Sequence, residues 1–312
     1  MNRLAAVDVG SLTVRLAVAE AAGPEGFRVL EHRREVTGLG RGLTGAGPLS
    51  PAGVAATLAA LAAYGAFLKV HKVSRVRAVA TQAVRQAADG QEFLKQAAAA
   101  LGWPVELISP EEEARLTLRG ILTVLDPALT AAGLTLVFDI GGGSTEFVLL
   151  DPPQEPYFAG LPLGVLNLSA QVPVSDPPRP EEVVALKSEV ARRLEIFYKE
   201  KFIDQPTPET LVGTAGAVTT LAAMAQELRQ YDPARINNYR LTRTRLVALA
   251  ERICGLPEAE RARLPGLEPA KAGVMVAGVI LVLAILDLFR RDFLVSVDAG
   301  LLEGLLAEMA AT

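Results

Sequence analysis

Small-residue loops and a few carboxylates hold the chemistry legible in this sequence. The run VFDIGGGSTEFVLL at 137–150 is apolar at both ends and breaks at Asp139 and three consecutive glycines. Without Cβ atoms, successive N–H groups across Gly141, Gly142, Gly143 and Ser144 can converge on one point, a nest that suits a phosphate oxygen. A flexible hairpin turn is the simpler alternative. It becomes the poorer one because Asp8-Val9-Gly10-Ser11 and Gly213-Thr214-Ala215-Gly216 place further small-residue loops at strand ends. Asp139 and Asp8 each close an apolar strand, where a carboxylate is costly unless it is paired, capped or bound to metal. Either alone reads as a cap of its own turn. As a matched pair beside phosphate-sized loops they favour magnesium held by oxygens with a phosphorylated ligand. Glu146 lies on the same strand face as Ser144 and could point at the loop.

Glu111, Glu112 and Glu113 open a helix, and compensation of the helix dipole suffices to explain most of such a triplet. If that helix start faces a cleft, one of the three can accept a proton from water attacking phosphorus. Spacing does not say which. Arg85 follows a strand and could fork onto a phosphate, although a surface arginine is the commoner case. Arg15, in LTVRLAV, reads as a strand-edge residue. Ser11, Ser144 and Thr145 are poor candidates for nucleophiles, because the chain has only two histidines, His32 and His71, neither near them in sequence.

Composition narrows the classes further. With 31 basic against 35 acidic residues, a net charge of -4 and no basic stripe, a nucleic-acid partner is not expected. The lone Cys254 excludes a disulfide framework, and the scarcity of Cys and His leaves only a hard, oxygen-bound metal. Asp8 interrupts the apolar N-terminus, which reads as a strand in a reducing cytoplasm. The uncharged segment Ala272–Leu286 falls short of the roughly 20 residues of a membrane span, so a buried helix and no membrane partner are expected. A homodimer is one assembly that remains open.

These residues need elements to hold them. Leu4–Glu20 and Leu134–Asp151 repeat one design, an apolar strand ending in Asp, a glycine turn and a second strand. Third strands are expected at 27–37 and 154–163. Strand and helix then alternate in the first half: a helix at 51–70, a strand at 73–80, a helix at 89–102 and a strand at 105–108. Ser109 and Pro110 start the helix that carries the glutamates. The second half predicts helices at 181–202, 242–254 and 268–289, strands at 210–213 and 293–297, and a last helix from Gly300. Two α/β domains of about 150 residues with facing hairpins would leave a cleft.

The strings DVGSLTVRL, ATQAVRQA, ISPEEEARL, VFDIGGGSTEF, GLPLGVLNL, VGTAGAVTTLA and VDAGLLEGLL, in this order over nearly the whole chain, resemble the exopolyphosphatase and guanosine pentaphosphate phosphohydrolase family. The resemblance implies an actin-like α/β fold: ribonuclease-H-like domains at 1–122 and 123–297, with mixed sheets around an interdomain cleft, and residues 298–312 packing back on the first. It implies Glu113 as general base, Asp139 and Glu146 as magnesium ligands, and phosphates held by Gly10, Ser11, Gly141, Gly142, Gly143, Ser144 and Thr145 with charge from Arg85. The expected substrate is inorganic polyphosphate or guanosine pentaphosphate; a weakened member that senses the penta- or tetraphosphate without turnover is the alternative. An actin-like sugar kinase or ATPase shares the fold, but no acceptor-sugar motif is present. Departures from the family pattern are Leu12 for Asn, Gly38-Leu39-Gly40 for Arg-Leu-Gly, and Asn167, Lys271 and Leu302 for arginines, with Gly273 for Asp. Most of them remove positive charge.

Overall fold

The computed structural model describes residues 3–22, 26–73, 75–131 and 133–311; Ser74 of the strand expected at 73–80 and Thr312 of the last helix lie outside the described residues. The chain forms two compact units, Met1–Thr123 with Ala299–Thr312, and Val124–Asp298.

The first unit comprises β1 (Arg3–Val9), β2 (Thr13–Ala21), β3 (Phe27–Val36), α1 (Pro51–Val70), β4 (Arg75–Ala80), α2 (Gln82–Gln86), α3 (Gly90–Leu101), β5 (Val105–Leu107) and α4 (Pro110–Ile121). Its sheet has the order β3-β2-β1-β4-β5, antiparallel through the first three strands and parallel beyond β1. Strand β1 is buried on both faces, which its apolar run Leu4–Val7 requires. Ala5, Val7 and Val9 meet Leu61, Leu68 and Phe93 on one face. Leu4 and Ala6 meet Leu116, Leu301 and Leu305 on the other. Helix α4 starts as its sequence dictates: Pro110 occupies the first turn and Ser109 Oγ accepts from the Glu112 N–H at 3.2 Å.

The second unit comprises α5 (Pro127–Ala131), β6 (Thr135–Ile140), β7 (Thr145–Leu150), β8 (Tyr157–Leu161), α6 (Val165–Gln171), α7 (Pro180–Lys201), β9 (Thr210–Thr214), α8 (Ala215–Ala225), α9 (Pro233–Ile236), β10 (Tyr239–Thr242), α10 (Arg243–Cys254), α11 (Glu258–Arg261), α12 (Met275–Leu288) and β11 (Phe293–Ser296). The strand order β10-β11-β9-β6-β7-β8 repeats the first sheet, with β10 added at one edge. Both units are ribonuclease-H-like α/β folds, the actin-like class. Phe147 on β7 packs against the rings of Phe197, Phe202 and Phe289 in tilted and edge-on contacts, so α7 and the end of α12 close over one sheet face.

Helix α13 (Leu301–Ala310) belongs to the first unit. It crosses α4 so closely that a Cβ on Gly304 would lie 1.9 Å from the Leu116 carbonyl oxygen, and one on Gly120 1.9 Å from that of Gly300. Glycine at both positions is therefore a packing requirement. Glu303 caps the helix, accepting from the Gly300 N–H at 2.8 Å. Burial pushes its carboxyl pKa up.

One expectation is corrected in the apolar region. Instead of a single helix at 268–289 there is a 3₁₀ segment at Pro269–Val274 followed by α12. Together they reach 20 residues, the length of a membrane span, as does α1. In the later segment 78% of the most apolar stretch is buried, the environment of a core helix.

Candidate functional site

Each unit carries a glycine hairpin turn after its first strand, and the two are built to the same plan. In the second, the Gly141 N–H donates to Ser144 O at 2.9 Å and closes the hairpin. Behind the turn stands the start of α6: the Val165 N–H donates to Gly141 O at 3.1 Å, the Leu166 N–H to Gly142 O at 2.8 Å, and Asn167 Nδ2 to Gly143 O at 2.5 Å. In a trans peptide the C=O and N–H are antiparallel. Anchoring these carbonyls backward therefore turns the N–H groups of Gly142, Gly143 and Ser144 forward, the arrangement of an anion nest. Gly164 packs so tightly beneath that its Cβ would lie 2.5 Å from Gly142 C.

The first unit repeats this with other donors. The Gly10 N–H donates to Thr13 O at 3.0 Å; the Gly40 N–H holds Ser11 O at 2.8 Å, and the Thr37 and Gly38 N–H groups hold Leu12 O at 3.0 and 2.9 Å. The N–H groups of Leu12 and Thr13 are thereby turned forward. The side chain at position 12 is not needed for this, so Leu in place of Asn leaves the backbone device intact. Gly40 also explains part of the Gly38-Leu39-Gly40 string: a Cβ there would lie 3.2 Å from Ser11 Cβ.

The hairpin registers place the carboxylates. Asp139 lies directly opposite Glu146, and Thr214 of β9 is its other neighbour, so these residues share one sheet face. Glu146 and Thr214 are buried and Asp139 is half-buried. In the first unit the residue opposite Asp8 is Arg15. Its guanidinium donates to Asp8 Oδ2 through Nε at 3.0 Å and Nη2 at 2.6 Å. Two expectations are corrected by this pair. Arg15 lies on β2, inside the sheet between β1 and β3, and is no edge residue. The Asp8 carboxylate is neutralised by a fork of hydrogen bonds, which leaves it ill suited to a metal.

Thr145 is corrected as well: it is fully buried, and its hydroxyl donates to Leu163 O at 2.6 Å, which ties β7 to the approach to α6. Ser11 and Ser144 are buried beside their loops.

The glutamate triplet separates by partner. Glu112 accepts from Arg77 at 2.8 Å in a network with Glu106 and Glu308. Glu111 is exposed, and hydrogen bonds from its own N–H and from Ser109 hold its pKa below the usual value. Glu113 meets Arg85, whose Nη1 and Nη2 lie 3.4 and 3.3 Å from Oε2. Arg85 is itself fixed by the Ile108 carbonyl at 2.7 Å and Gln82 Oε1 at 2.9 Å. The sequence reading sets Arg85 on a phosphate; in the structure its donors are directed at Glu113, Ile108 O and Gln82 Oε1.

Lys271 is a further cation that sequence reasoning noted only as a departure from a pattern. It is 3% exposed, pairs with Glu268 at 3.3 Å, and places Nζ 3.3 Å from where a Cβ on Gly216 would stand, at the start of α8. The combination of Gly216 with a lysine in an apolar segment was the available signal.

Comparison with known proteins gives this geometry a family. The profile of the Ppx/GppA phosphatase family matches residues 17–312. A Mycobacterium tuberculosis protein named exopolyphosphatase 2 is 32% identical over 290 residues, covering 90% of this chain and 89% of its own. The crystal structure of the Aquifex aeolicus Ppx/GppA family member is 32% identical and superposes with a TM-score of 0.80 over 99% of this chain and 98% of its own. An exopolyphosphatase structure from Cytophaga hutchinsonii, at 24% identity, shares the fold with a TM-score of 0.87 over 99% of this chain and 98% of its own. The chain is a member of the Ppx/GppA phosphatase family.

Proposed function

We propose that this protein hydrolyses the terminal phosphoanhydride of inorganic polyphosphate or guanosine pentaphosphate, releasing orthophosphate, with Glu113 as the general base. The observation that carries the reading is the Arg85–Glu113 pair. Glu112 is also paired, but it shares Arg77 with Glu106 and Glu308 and is 35% exposed, whereas Glu113 is 14% exposed and meets Arg85, whose other described acceptors, Ile108 O and Gln82 Oε1, are neutral. A carboxylate held in one orientation at the first turn of α4 can take the proton of a water as its oxygen attacks phosphorus. The forward N–H groups of Gly142, Gly143 and Ser144, and those of Leu12 and Thr13, would hold phosphate oxygens through hydrogen bonds strengthened by their charge. Gly10 and Gly141 close the two turns and keep them free of side chains.

Asp139 and Glu146 fit a magnesium ion in their chemistry: two oxygen-only donors opposite each other on one sheet face. No group of three or more His, Cys, Asp or Glu suited to a metal occurs among the described residues, so substrate oxygens and waters would complete the coordination. A bound ion would offset charge on the anhydride oxygens. A single cysteine and oxygen-based chemistry suit the reducing cytoplasm.

A second reading, a weakened member that senses guanosine tetra- or pentaphosphate or polyphosphate, is favoured by the same departures that remove charge. Leu302 is buried against the first sheet, and Asn167 is consumed by loop contacts. One panel separates the readings: phosphate release from short and long polyphosphate, guanosine pentaphosphate and ATP, with and without magnesium. Release from an anhydride supports hydrolysis. Binding without release from any of them supports the sensor.

A further inference from the structure

We infer that Asn167 is a positioning residue for the phosphate loop, its carboxamide turning the Gly143–Ser144 peptide so that the Ser144 N–H faces the substrate. The inference rests on the reading of Gly141–Ser144 as a phosphate nest and goes beyond it. Two of the three loop carbonyls are anchored by backbone donors at the start of α6, but Gly143 O is held by a side chain, Asn167 Nδ2 at 2.5 Å. The same nitrogen donates to Pro162 O at 3.1 Å, and Oδ1 accepts from the Gly164 N–H at 2.7 Å. Both partners of Nδ2 are acceptors and the partner of Oδ1 is a donor, so one orientation of the carboxamide satisfies all of them.

The other unit supplies the comparison. Leu12 stands at the register position of Gly143, and its carbonyl is held by two backbone N–H groups, from Thr37 and Gly38. The second unit has no such backbone donor at Gly143 O among the described contacts and uses Asn167 instead. Few side chains can do this. Aspartate has no donor, and the arginine of the family pattern has no acceptor for Gly164. With Gly143 O released, a triglycine segment loses the restraint that keeps its last N–H forward, since glycine accepts either peptide orientation.

The test compares the wild type with Asn167→Ala and with Asn167→Asp, which keeps the acceptor for Gly164. Phosphate release from polyphosphate is measured with magnesium, and backbone amides are followed by NMR as orthophosphate is added. Both variants should melt within a few degrees of wild type, raise KM about tenfold or more and leave kcat nearly unchanged, the pattern of lost uniform binding. The Ser144 amide should lose its phosphate-induced shift while that of Gly142 keeps it. An unchanged KM with an unchanged Ser144 response would overturn the role. If wild type neither releases phosphate nor shows shifts at Gly142, Gly143 and Ser144, the nest itself is refuted. Positioning is then decided without ligand: a Ser144 amide resonance moved by either substitution supports it, and an unmoved one overturns it.

Discussion

Gly164→Ala tests the loop and its support in one step. Gly164 has φ -125° and ψ 175°, a conformation open to any residue, so the substitution carries no backbone strain of its own. Its whole cost is space. The added Cβ would stand 2.5 Å from both C and O of Gly142 and 2.6 Å from Gly143 N. Ordinary contacts of this kind lie at about 3.5–4.0 Å, so loop and helix start must separate by roughly 1 Å. Overpacking of this size costs about 1–3 kcal/mol. A displacement of about 1 Å at a group that orients substrate can lower the rate about a hundredfold. Gly160→Ala is the control, since its Cβ would meet nothing within 4 Å. Thermal melting and phosphate release from polyphosphate are the assays. The Gly164→Ala variant should melt several degrees lower and lose most of its activity, and Gly160→Ala should match wild type. Full activity with unchanged KM in the Gly164→Ala variant would refute the packing account of the loop.

Other expectations follow from packing and burial elsewhere. Gly304→Ala should lower stability by about 1–3 kcal/mol or more in urea unfolding, because the Leu116 carbonyl already occupies the space a methyl would take. Unchanged stability would mean that α13 does not hold α4 in solution. Tyr64 is buried, donates to Val14 O at 3.2 Å, and has its pKa pushed up to about 12 by that burial. Its neutral form is favoured in the folded state, so its contribution is complete below the unfolded value of about 10 and fades as pH rises toward about 12. Wild type should therefore lose more stability than Tyr64→Phe between pH 9 and 11, measured as urea midpoints, and parallel losses would contradict the assignment.

Local signals made much of the fold legible. Ser109, Pro110 and the glutamates marked α4 because capping is decided within one turn of chain. The two Asp-Gly hairpins were readable because alternation and turn residues lie within 20 residues of each other. The short helices α2 and α6, which carry Arg85 and Asn167, were missed, since five to seven residues show no helical period. Arg15 was misread from its strand alone. Counting across the turn, with Val9 opposite Val14, would have set it against Asp8. The burial of the Thr145 hydroxyl against Leu163, the crossing of Gly120 and Gly304, and the approach of Lys271 to Gly216 depend on residues far apart in the chain, and no local pattern encodes them.

Hydrolysis as proposed here turns on Glu113 taking the proton of the water that cleaves the anhydride. Its most direct test is the rate of phosphate release by Glu113→Gln at saturating polyphosphate with magnesium. Glutamine preserves the shape and an oxygen for Arg85, so a wild-type melting temperature and KM are expected with kcat lower by about 10²- to 10⁴-fold. Release at the wild-type rate would contradict it.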